Sequence, residues 1–354
     1  MPQAPIRVFL VEDSPVSLVI LKRILNSSPE IQIVGTATNG KEALERIAQV
    51  KPTVICTDLH MPGMDGLEFT KQVMTEYPRP ILVISTSVQP QDTHNVFQLL
   101  QAGAVDVFPK PSVSTATEFE LAKQQLISKI KVLSGVTVFT KHRQPPQSIL
   151  LPKGQLPRPQ TALPRNRAIA IGASTGGPQA LQTVLTQLPP DFPLPVICVQ
   201  HISQGFLQGL VNWLDSECQV KVKIAQPQES PLRGTVYFAP EQAHLELDSQ
   251  GKFYYSSTSP VDGHCPSATV TLRSVAKFYN KSAVGILLTG MGRDGALGMQ
   301  AIAQAGGTTI AQDEKSCVVF GMPKEAIALG AAQYVLPIHN IAPFLFGKIL
   351  ARPN

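Results

Sequence analysis

Short runs of apolar residues alternate with longer amphipathic segments through the first third of the chain. A short apolar run bounded by turn residues is typical of a buried strand, and apolar positions three or four residues apart are typical of a helix. Helical spacing occurs at 14–27, 40–49, 66–76 and 92–102, and the runs predicted as strands lie at 6–11, 31–37, 53–57, 81–85 and 106–108. This alternation predicts a parallel sheet with helices on both faces.

The same alternation starts again after residue 167. The predicted strands lie at 168–171, 195–200, 220–225, 235–239, 283–288 and 308–311. The predicted helices lie at 178–187, 205–214, 266–279, 295–305 and 323–329, and residues 243–257 are predicted as a β-hairpin insert. The fold class is therefore α/β, with two doubly wound domains built on mainly parallel sheets.

The stretch between the two patterns has a different composition. Residues 137–165 are rich in Pro, Gln and basic residues and have no sustained apolar period, which is typical of a semi-flexible linker. An apolar stripe at 118–133 predicts either the last helix of the first domain or a helix leading into the linker. We expect a domain at 1–125, a linker at 126–165 and a second domain at 166–354.

Composition narrows the function classes. The chain has 354 residues, 43% of them hydrophobic, and a net charge of +5 whose positive residues are scattered, so neither nucleic acid nor an anionic membrane is indicated as a partner. No apolar stretch reaches the roughly 18 residues of a membrane span, and no signal peptide is evident. The five cysteines form no C-x-x-C pair, which argues against a disulfide framework and a zinc site and favours the cytoplasm.

Five polar residues lie at the carboxyl ends of four predicted strands of the first domain. Glu12 and Asp13 follow the first strand, Asp58 follows the third, Ser85 ends the fourth and Lys110 follows the fifth. The carboxyl ends of parallel strands meet at one edge of the sheet, where ligands bind. Three carboxylates at one edge repel one another unless a hard divalent cation such as Mg²⁺ joins them. A hydroxyl and an ammonium beside them could bind the oxygens of a phosphoryl group on Asp58.

The segment 58–66, Asp-Leu-His-Met-Pro-Gly-Met-Asp-Gly, resembles the phosphoacceptor loop of two-component receiver domains. The resemblance implies a flavodoxin-like fold, phosphorylation of Asp58 and Mg²⁺ held by the three carboxylates. It also implies that Ser85 is the switch hydroxyl, that Lys110 senses the phosphate, and that the Lys110–Pro111 peptide bond is cis.

In the second domain, residues 172–176 fit G-x-S-x-G between a strand and a helix, which exposes Ser174 at a tight turn. By itself this turn could equally cradle a phosphate. His201 and Asp294, however, also follow predicted strands, so a hydroxyl, an imidazole and a carboxylate can converge as a nucleophile, a base and an orienting acid. Their chain order, Ser-His-Asp, differs from the Ser-Asp-His order of α/β-hydrolases and argues against that fold.

Four motifs of this domain resemble the chemotaxis protein-glutamate methylesterases. They are Gly-Ala-Ser-Thr-Gly-Gly at 172–177, Gln-His-Ile at 200–202, Leu-Thr-Gly-Met-Gly-Arg-Asp-Gly at 288–295 and Ser-Cys-Val-Val-Phe-Gly-Met-Pro at 316–323. The resemblance implies a Rossmann-like domain in which Ser174, His201 and Asp294 are catalytic. It further implies that the backbone N–H of Met291 helps to form an oxyanion hole and that Thr175 supports the His201 side of the site.

The chain departs from this family's usual sequence at two places. It has Ile-Ser-Gln at 202–204 where the family often has Met-Pro-Pro. It also has Cys-Pro-Ser-Ala-Thr at 265–269 where the family often has Arg-Pro-Ser-Val-Asp, so the Arg and the Asp are lost. These changes put substrate contacts and domain packing in doubt and leave the triad intact. Two further histidines, His244 and His264, are candidates for lining the cleft, and otherwise for a structural or a surface role.

The resemblance implies a monomeric esterase, regulated by phosphorylation, that demethylates glutamate methyl esters on chemoreceptors and deamidates specific receptor glutamines. Its phosphodonor would be a histidine kinase of the chemotaxis type, and ester hydrolysis itself would need no cofactor. Two alternatives stay open: an esterase that acts on proteins outside chemotaxis, and a phosphorylation-dependent binding module without activity. A DNA-binding response regulator is disfavoured because no basic recognition helix follows the linker.

Overall fold

The computed structural model describes residues 4–86, 90–111, 115–138 and 167–349. The first domain is a parallel sheet in the order β2-β1-β3-β4-β5. Its strands are β1 (Ile6–Val11), β2 (Ile31–Ala37), β3 (Val54–Thr57), β4 (Ile81–Ser85) and β5 (Asp106–Pro109). Its helices are α1 (Pro15–Asn26), α2 (Gly40–Val50), α3 (Gly66–Glu76), α4 (Pro90–Ala102) and α5 (Ala116–Ser134). This confirms the predicted alternation.

Side-chain caps fix where several of these helices begin. Ser14, Asn39, Asp65 and Thr115 each precede a helix, and each accepts a hydrogen bond from the backbone N–H three residues later. Such a bond satisfies one of the N–H groups that a helix start leaves unpaired. The central strands β3 and β4 are completely buried, so the middle of the sheet forms the core of the domain.

Helix α5 corrects the predicted domain boundary. It runs unbroken from Ala116 to Ser134, and its residues Leu126, Ile130 and Leu133 are buried in the apolar core of the first domain. The boundary expected after residue 125 would cut this helix, so the first domain extends at least to Ser134. The apolar stripe at 118–133 is therefore the last helix of that domain. Most of the linker expected at 126–165 lies outside the described residues.

The second domain has a larger parallel sheet in the order β14-β13-β12-β6-β7-β9-β8. Its strands are β6 (Ala168–Ala173), β7 (Val196–Gln200), β8 (Lys221–Ile224), β9 (Thr235–Phe238), β12 (Ala283–Leu287), β13 (Thr308–Gln312) and β14 (Tyr334–Leu336). Its helices are α6 (Gly177–Leu185), α7 (Leu207–Glu217), α8 (Ala268–Tyr279), α9 (Ala296–Gln304), α10 (Met322–Ala328) and α11 (Ile338–Phe344). The expected doubly wound α/β domain is confirmed.

Strands β10 (His244–Leu247) and β11 (Phe253–Ser256) pair antiparallel and form the predicted hairpin insert. The pattern did not predict β14 or α11. β14 is a three-residue edge strand, too short to give a period, and Pro343 interrupts the sequence pattern of α11.

The two domains pack against each other along α4 and α7. The rings of Phe97 and Trp213 are stacked, with centroids 5.3 Å apart and planes 12° apart. Beside them, Nε2 of Gln179 on α6 donates a hydrogen bond to the carbonyl of Ala104 (2.7 Å). The apolar core is therefore continuous between the domains at this face.

One backbone prediction is wrong. Among the described residues, the only cis peptide bond is Cys265–Pro266, so the Lys110–Pro111 bond is trans. Trans is the lower-energy form of an X-Pro bond by about 0.5–1 kcal/mol. With this trans bond, the ammonium of Lys110 still lies within hydrogen-bonding distance of Asp58.

Two expectations from composition can be compared with the structure. In the described ranges, no helix is long and apolar enough to cross a membrane. All five cysteines are free thiols, and Cys56 and Cys198 are buried as their apolar surroundings predicted.

Candidate active site

Ser174 stands at the turn between β6 and α6. Gly176 has φ +75°, a left-handed conformation that favours glycine, and α6 begins at the next residue with Pro178 in its first turn. The turn lies against the loop after β12. The approach is so close that a Cβ atom at Gly290 would lie 2.7 Å from the Cβ of Ser174. Only glycine at position 290 allows this approach, which brings the β12 loop to the serine.

His201 lies beside Ser174 because their strands are neighbours in the sheet. Ala173 at the end of β6 is in register with Gln200 at the end of β7, and each candidate residue comes next in its chain. The N–H of His201 donates to the carbonyl of Ala173 (2.9 Å). Adjacent strands are about 4.8 Å apart, so the backbones of Ser174 and His201 are neighbours.

The side chain of Gln200 holds the two backbones together. Its Nε2 atom donates to the carbonyl of Ser174 and to the carbonyl of His201, both at 2.8 Å. Sequence reasoning missed this contact. The one signal was a buried polar residue at the end of an apolar strand, directly before the histidine.

Asp294 reaches His201 from the other side of β6, where β12 pairs with that strand. The Oδ2 atom of Asp294 lies 2.9 Å from Nε2 of His201. Its carboxylate is fully buried and accepts four further hydrogen bonds. These come from the Ser267 hydroxyl (2.7 Å) and from the N–H groups of Ala268 (2.7 Å), Thr269 (2.9 Å) and Gly295 (2.9 Å). The first three donors form the start of α8, a position that attracts negative charge.

These contacts keep Asp294 ionised. Burial would raise the pKa of Asp294, but the hydrogen bond and charge of His201, with the bonds from Ser267 and Thr269, outweigh burial and lower that pKa. An ionised Asp294 accepts a hydrogen bond from the Nε2–H group of His201, which leaves Nδ1 as the acceptor nitrogen of the neutral ring. Nδ1 is buried and has no hydrogen-bond partner among the residues that the structure describes. It is therefore available to take a proton.

Two other residues predicted for this site lie in the same loops. In the part of the chain that the structure describes, the backbone N–H of Met291 donates no hydrogen bond and so could bind an oxyanion. The carbonyl of Thr175 accepts a hydrogen bond from the Thr289 hydroxyl (3.0 Å), and no hydrogen bond joins Thr175 to His201 among the described residues. The roles expected of Met291 and Thr175 stay predictions.

The two additional histidines have different environments. His244 is completely buried, and its Nδ1 accepts the N–H of Ser267 (3.0 Å), so it joins the hairpin to the start of α8. His264 lies at the site itself, with its ring stacked on that of His201. Of the two open assignments, the structural role fits His244 and the cleft fits His264.

The five polar residues predicted for the first domain meet at the carboxyl edge of its sheet. Nζ of Lys110 lies 2.6 Å from Oδ2 of Asp58 and 2.8 Å from Oε1 of Glu12. Ser85 is paired with Pro109 across β4 and β5, and its carbonyl accepts the N–H of Lys110 (2.9 Å). The phosphoacceptor, the switch hydroxyl and the ammonium expected from the sequence are thus neighbours.

The carboxylates of this edge fit a divalent cation. Glu12, Asp13 and Asp58 each offer an oxygen, and these oxygens lie within 4.8 Å of one another. Burial raises the pKa of Glu12, the Lys110 hydrogen bond opposes the rise, and the charge of Asp58 adds to it. Oε2 of Glu12 is buried, and no described residue forms a hydrogen bond with it. A cation with oxygen ligands would remove both the repulsion and the unpaired atom.

The two sites are connected through β5. The Ser203 hydroxyl, two residues after His201, lies 3.4 Å from the carbonyl of Val107 in the first domain. Val318 packs against the core of the first domain and also lies against the turn at Gly176. The first domain therefore covers the loops that carry Ser174 and His201.

Comparison with known proteins agrees with this arrangement. A family model described as CheB methylesterase matches residues 169–345, and one described as response regulator receiver domain matches residues 8–118. A relative from Syntrophus aciditrophicus named protein-glutamate methylesterase/protein-glutamine glutaminase 1 is 39% identical, over 96% of this chain and 97% of its own length. The chain belongs to the CheB methylesterase family. It combines that family's catalytic domain with a receiver domain.

Two further similarities support the membership. A relative from Nitrosospira multiformis, named protein-glutamate methylesterase/protein-glutamine glutaminase, is 39% identical over 98% of both chains. The crystal structure of the Thermotoga maritima CheB methylesterase catalytic domain is 40% identical and covers 51% of this chain and 97% of its own, with a TM-score of 0.50. The second domain is therefore the methylesterase domain, and the first is the receiver.

Proposed function

We propose that this protein hydrolyses γ-methyl esters of glutamate on chemoreceptors, with Ser174 as the nucleophile. The observation that carries the proposal is the arrangement of Ser174, His201 and Asp294 at three adjacent strand ends. Asp294 is hydrogen-bonded to one nitrogen of His201, and the other nitrogen has no partner in the part of the chain that the structure describes. A serine hydroxyl needs such a base to become a nucleophile.

The reaction would follow from these contacts. Nδ1 of His201 takes the proton of Ser174 as Oγ attacks the ester carbonyl, and Asp294 stabilises the resulting imidazolium. The N–H of Met291 donates to the oxyanion. His201 then returns the proton to the departing methoxide, methanol leaves, and water activated by His201 releases glutamate from the acyl-enzyme. A glutamine side chain would lose ammonia by the same route, so we also propose deamidation.

Phosphorylation of Asp58 would regulate this activity. We propose that Glu12, Asp13 and Asp58 hold Mg²⁺ during transfer from a chemotaxis-type histidine kinase, and that Lys110 and Ser85 bind the phosphoryl oxygens. The Asp58–Lys110 ion pair lies at the end of β5, the strand whose Val107 contacts Ser203. A new charge at Asp58 would change this end of β5 and loosen the cover over the active site.

Two further expectations belong to the same proposal. Each candidate site is formed by residues of one chain, which supports activity as a monomer. Five free cysteines suit the reducing conditions of the cytoplasm.

Methanol release from a receptor fragment that carries glutamate methyl esters tests the proposal. We expect release by the full chain, an increase with Mg²⁺ and a small phosphodonor, and none from Ser174→Ala. A fluorophosphonate probe that labels the wild type but not Ser174→Ala would exclude a binding module without activity. Labelling without methanol release from receptor fragments would instead favour an esterase for other proteins.

A further inference from the structure

His264 contacts His201, the proposed base, but it takes no step in the proposed hydrolysis. The rings of His264 and His201 are stacked, with centroids 3.8 Å apart and planes 6° apart. Because the two planes are nearly parallel, the nitrogen atoms of one ring do not point at those of the other. The contact therefore joins two faces and is not a hydrogen bond between two imidazoles.

The ring of His201 needs a second restraint. Its bond from Nε2 to Asp294 fixes one end of the imidazole, but a single hydrogen bond leaves the ring free to tilt about that end. Within the described ranges, Nδ1 has no hydrogen-bond partner that would hold the other end. A flat surface against one face of the ring prevents the tilt. We propose that His264 is a positioning residue, whose ring keeps the imidazole of His201 aligned between Asp294 and Ser174; this rests on the proposed function.

The loop that carries His264 is itself fixed. The N–H of His264 donates to the carbonyl of Val261 (3.0 Å), and its carbonyl accepts the N–H of Val261 (3.1 Å). Between them Asp262 has φ +51°, which is uncommon for a residue with a side chain. The carboxylate of Asp262 accepts a hydrogen bond from Nε of Arg293 (2.8 Å), next to Asp294. These hydrogen bonds therefore hold His264 in a defined position beside His201.

The charge of His264 suits this role. Burial, and then the nearby His201, lower the pKa of His264 to about 4, so its ring is neutral at neutral pH. A neutral aromatic face tolerates the imidazolium that forms when His201 takes a proton, and attracts it weakly. A charged neighbour at 3.8 Å would repel it instead.

Two variants separate a face contact from a role for the nitrogens. His264→Ala removes the ring, and His264→Phe keeps a flat ring without nitrogens. We expect His264→Ala to lower kcat for methanol release by about 10- to 100-fold, because small misplacements of a reacting group have effects of that size, with KM within about twofold of the wild type. His264→Phe should restore kcat to within about threefold.

The rate of labelling of Ser174 by a fluorophosphonate should follow the same order, and it needs no receptor substrate. Labelling therefore decides the role of His264 even if the wild type releases no methanol, an outcome that would reject only the proposed substrate. Thermal unfolding confirms that both variants fold. The inference is wrong if His264→Ala labels as fast as the wild type, or if a folded His264→Phe labels as slowly as His264→Ala.

Discussion

The Nε2 atom of His201 lies 2.9 Å from the Oδ2 atom of Asp294, and the carboxylate of Asp294 is fully buried. The remaining donors around this carboxylate come from the start of α8 and from Gly295. Asp294 therefore joins the histidine to a rigid helix start. Its position depends on the fold of the whole domain, and the orientation of His201 depends on Asp294.

Asp294→Asn should reduce kcat by about 10⁴-fold, the effect that the same change has in a Ser-His-Asp protease. The amide keeps the volume of the carboxylate but can no longer fix the tautomer that leaves Nδ1 unprotonated. Methanol release measures the effect. Asp262→Asn makes the same chemical change on the neighbouring loop and should retain activity within about fivefold. More than a tenth of wild-type kcat in Asp294→Asn would contradict the assigned role.

Stability should fall on mild acidification because of His264. Burial and the neighbouring His201 lower the pKa of His264 to about 4 in the folded protein, while an unfolded histidine has a pKa of about 6.5. Between these values the unfolded chain binds a proton that the folded chain does not, so the free energy of unfolding falls as pH drops through this window. The charges of Asp294 and Asp262 oppose the shift. The lowered pKa of Asp294 acts only at lower pH, below about 4.

Urea unfolding at pH 7 and pH 5 tests this dependence. The wild type should lose about 2 kcal/mol more than His264→Phe between the two pH values. His339→Gln, a change at an exposed histidine of α11, should lose as much as the wild type. Equal losses in the wild type and His264→Phe would mean that His264 titrates alike in both states.

Trp213 should report the contact between the domains. It is the only tryptophan of the chain, and its ring is stacked on Phe97 of the receiver. Phe97→Ala removes a ring contact worth about 0.5–1.5 kcal/mol beyond the buried area, so it should raise basal esterase activity several-fold and shift Trp213 emission. A phosphodonor with Mg²⁺ should shift the emission of the wild type in the same direction. Phe119→Ala, on α5, should change neither; no change in Phe97→Ala would separate this contact from regulation.

The acidic residues of the receiver should differ in their effects. Asp58→Asn should abolish the response to a phosphodonor, because the acceptor is gone. Asp13→Asn should raise the Mg²⁺ concentration needed for that response by about 10-fold or more, since a carboxylate ligand is lost from an exposed position. Asp65→Asn, in the same loop as Asp58, still caps α3 and should behave like the wild type. An Mg²⁺ requirement unaltered in Asp13→Asn would remove Asp13 from the cation site.

The sequence predicted those features that depend on strand ends. Parallel strands place their carboxyl ends at one edge, so Asp58 and Lys110 in one sheet, and Ser174 and His201 in the other, could be brought together from a one-dimensional pattern. The pattern also predicted that a carboxylate at position 294 would approach from another strand. The position of Asp294 on the opposite side of β6 required the strand order, which the pattern does not contain.

Other contacts join the surfaces of separate elements, and the spacing of apolar residues along the chain does not show which surfaces meet. Phe97 and Trp213 both read as ordinary core residues of separate helices, and nothing in their spacing indicates that they meet. The stacking of His264 depends on a loop conformation with a left-handed residue at Asp262. The boundary expected after residue 125 falls inside α5 because the apolar stripe of this helix is weak in the sequence, although Leu126, Ile130 and Leu133 are buried.

The contact between Ser203 and Val107 means that the receiver domain and a substrate compete for the same surface of the catalytic domain. A substrate that reaches Ser174 must contact loops that the receiver domain covers. Coupling between two binding events is reciprocal. If phosphorylation uncovers the cleft, then an occupied cleft favours the receiver conformation that holds the phosphoryl group. The concentration of methylated receptor would therefore help to determine how long Asp58 stays phosphorylated.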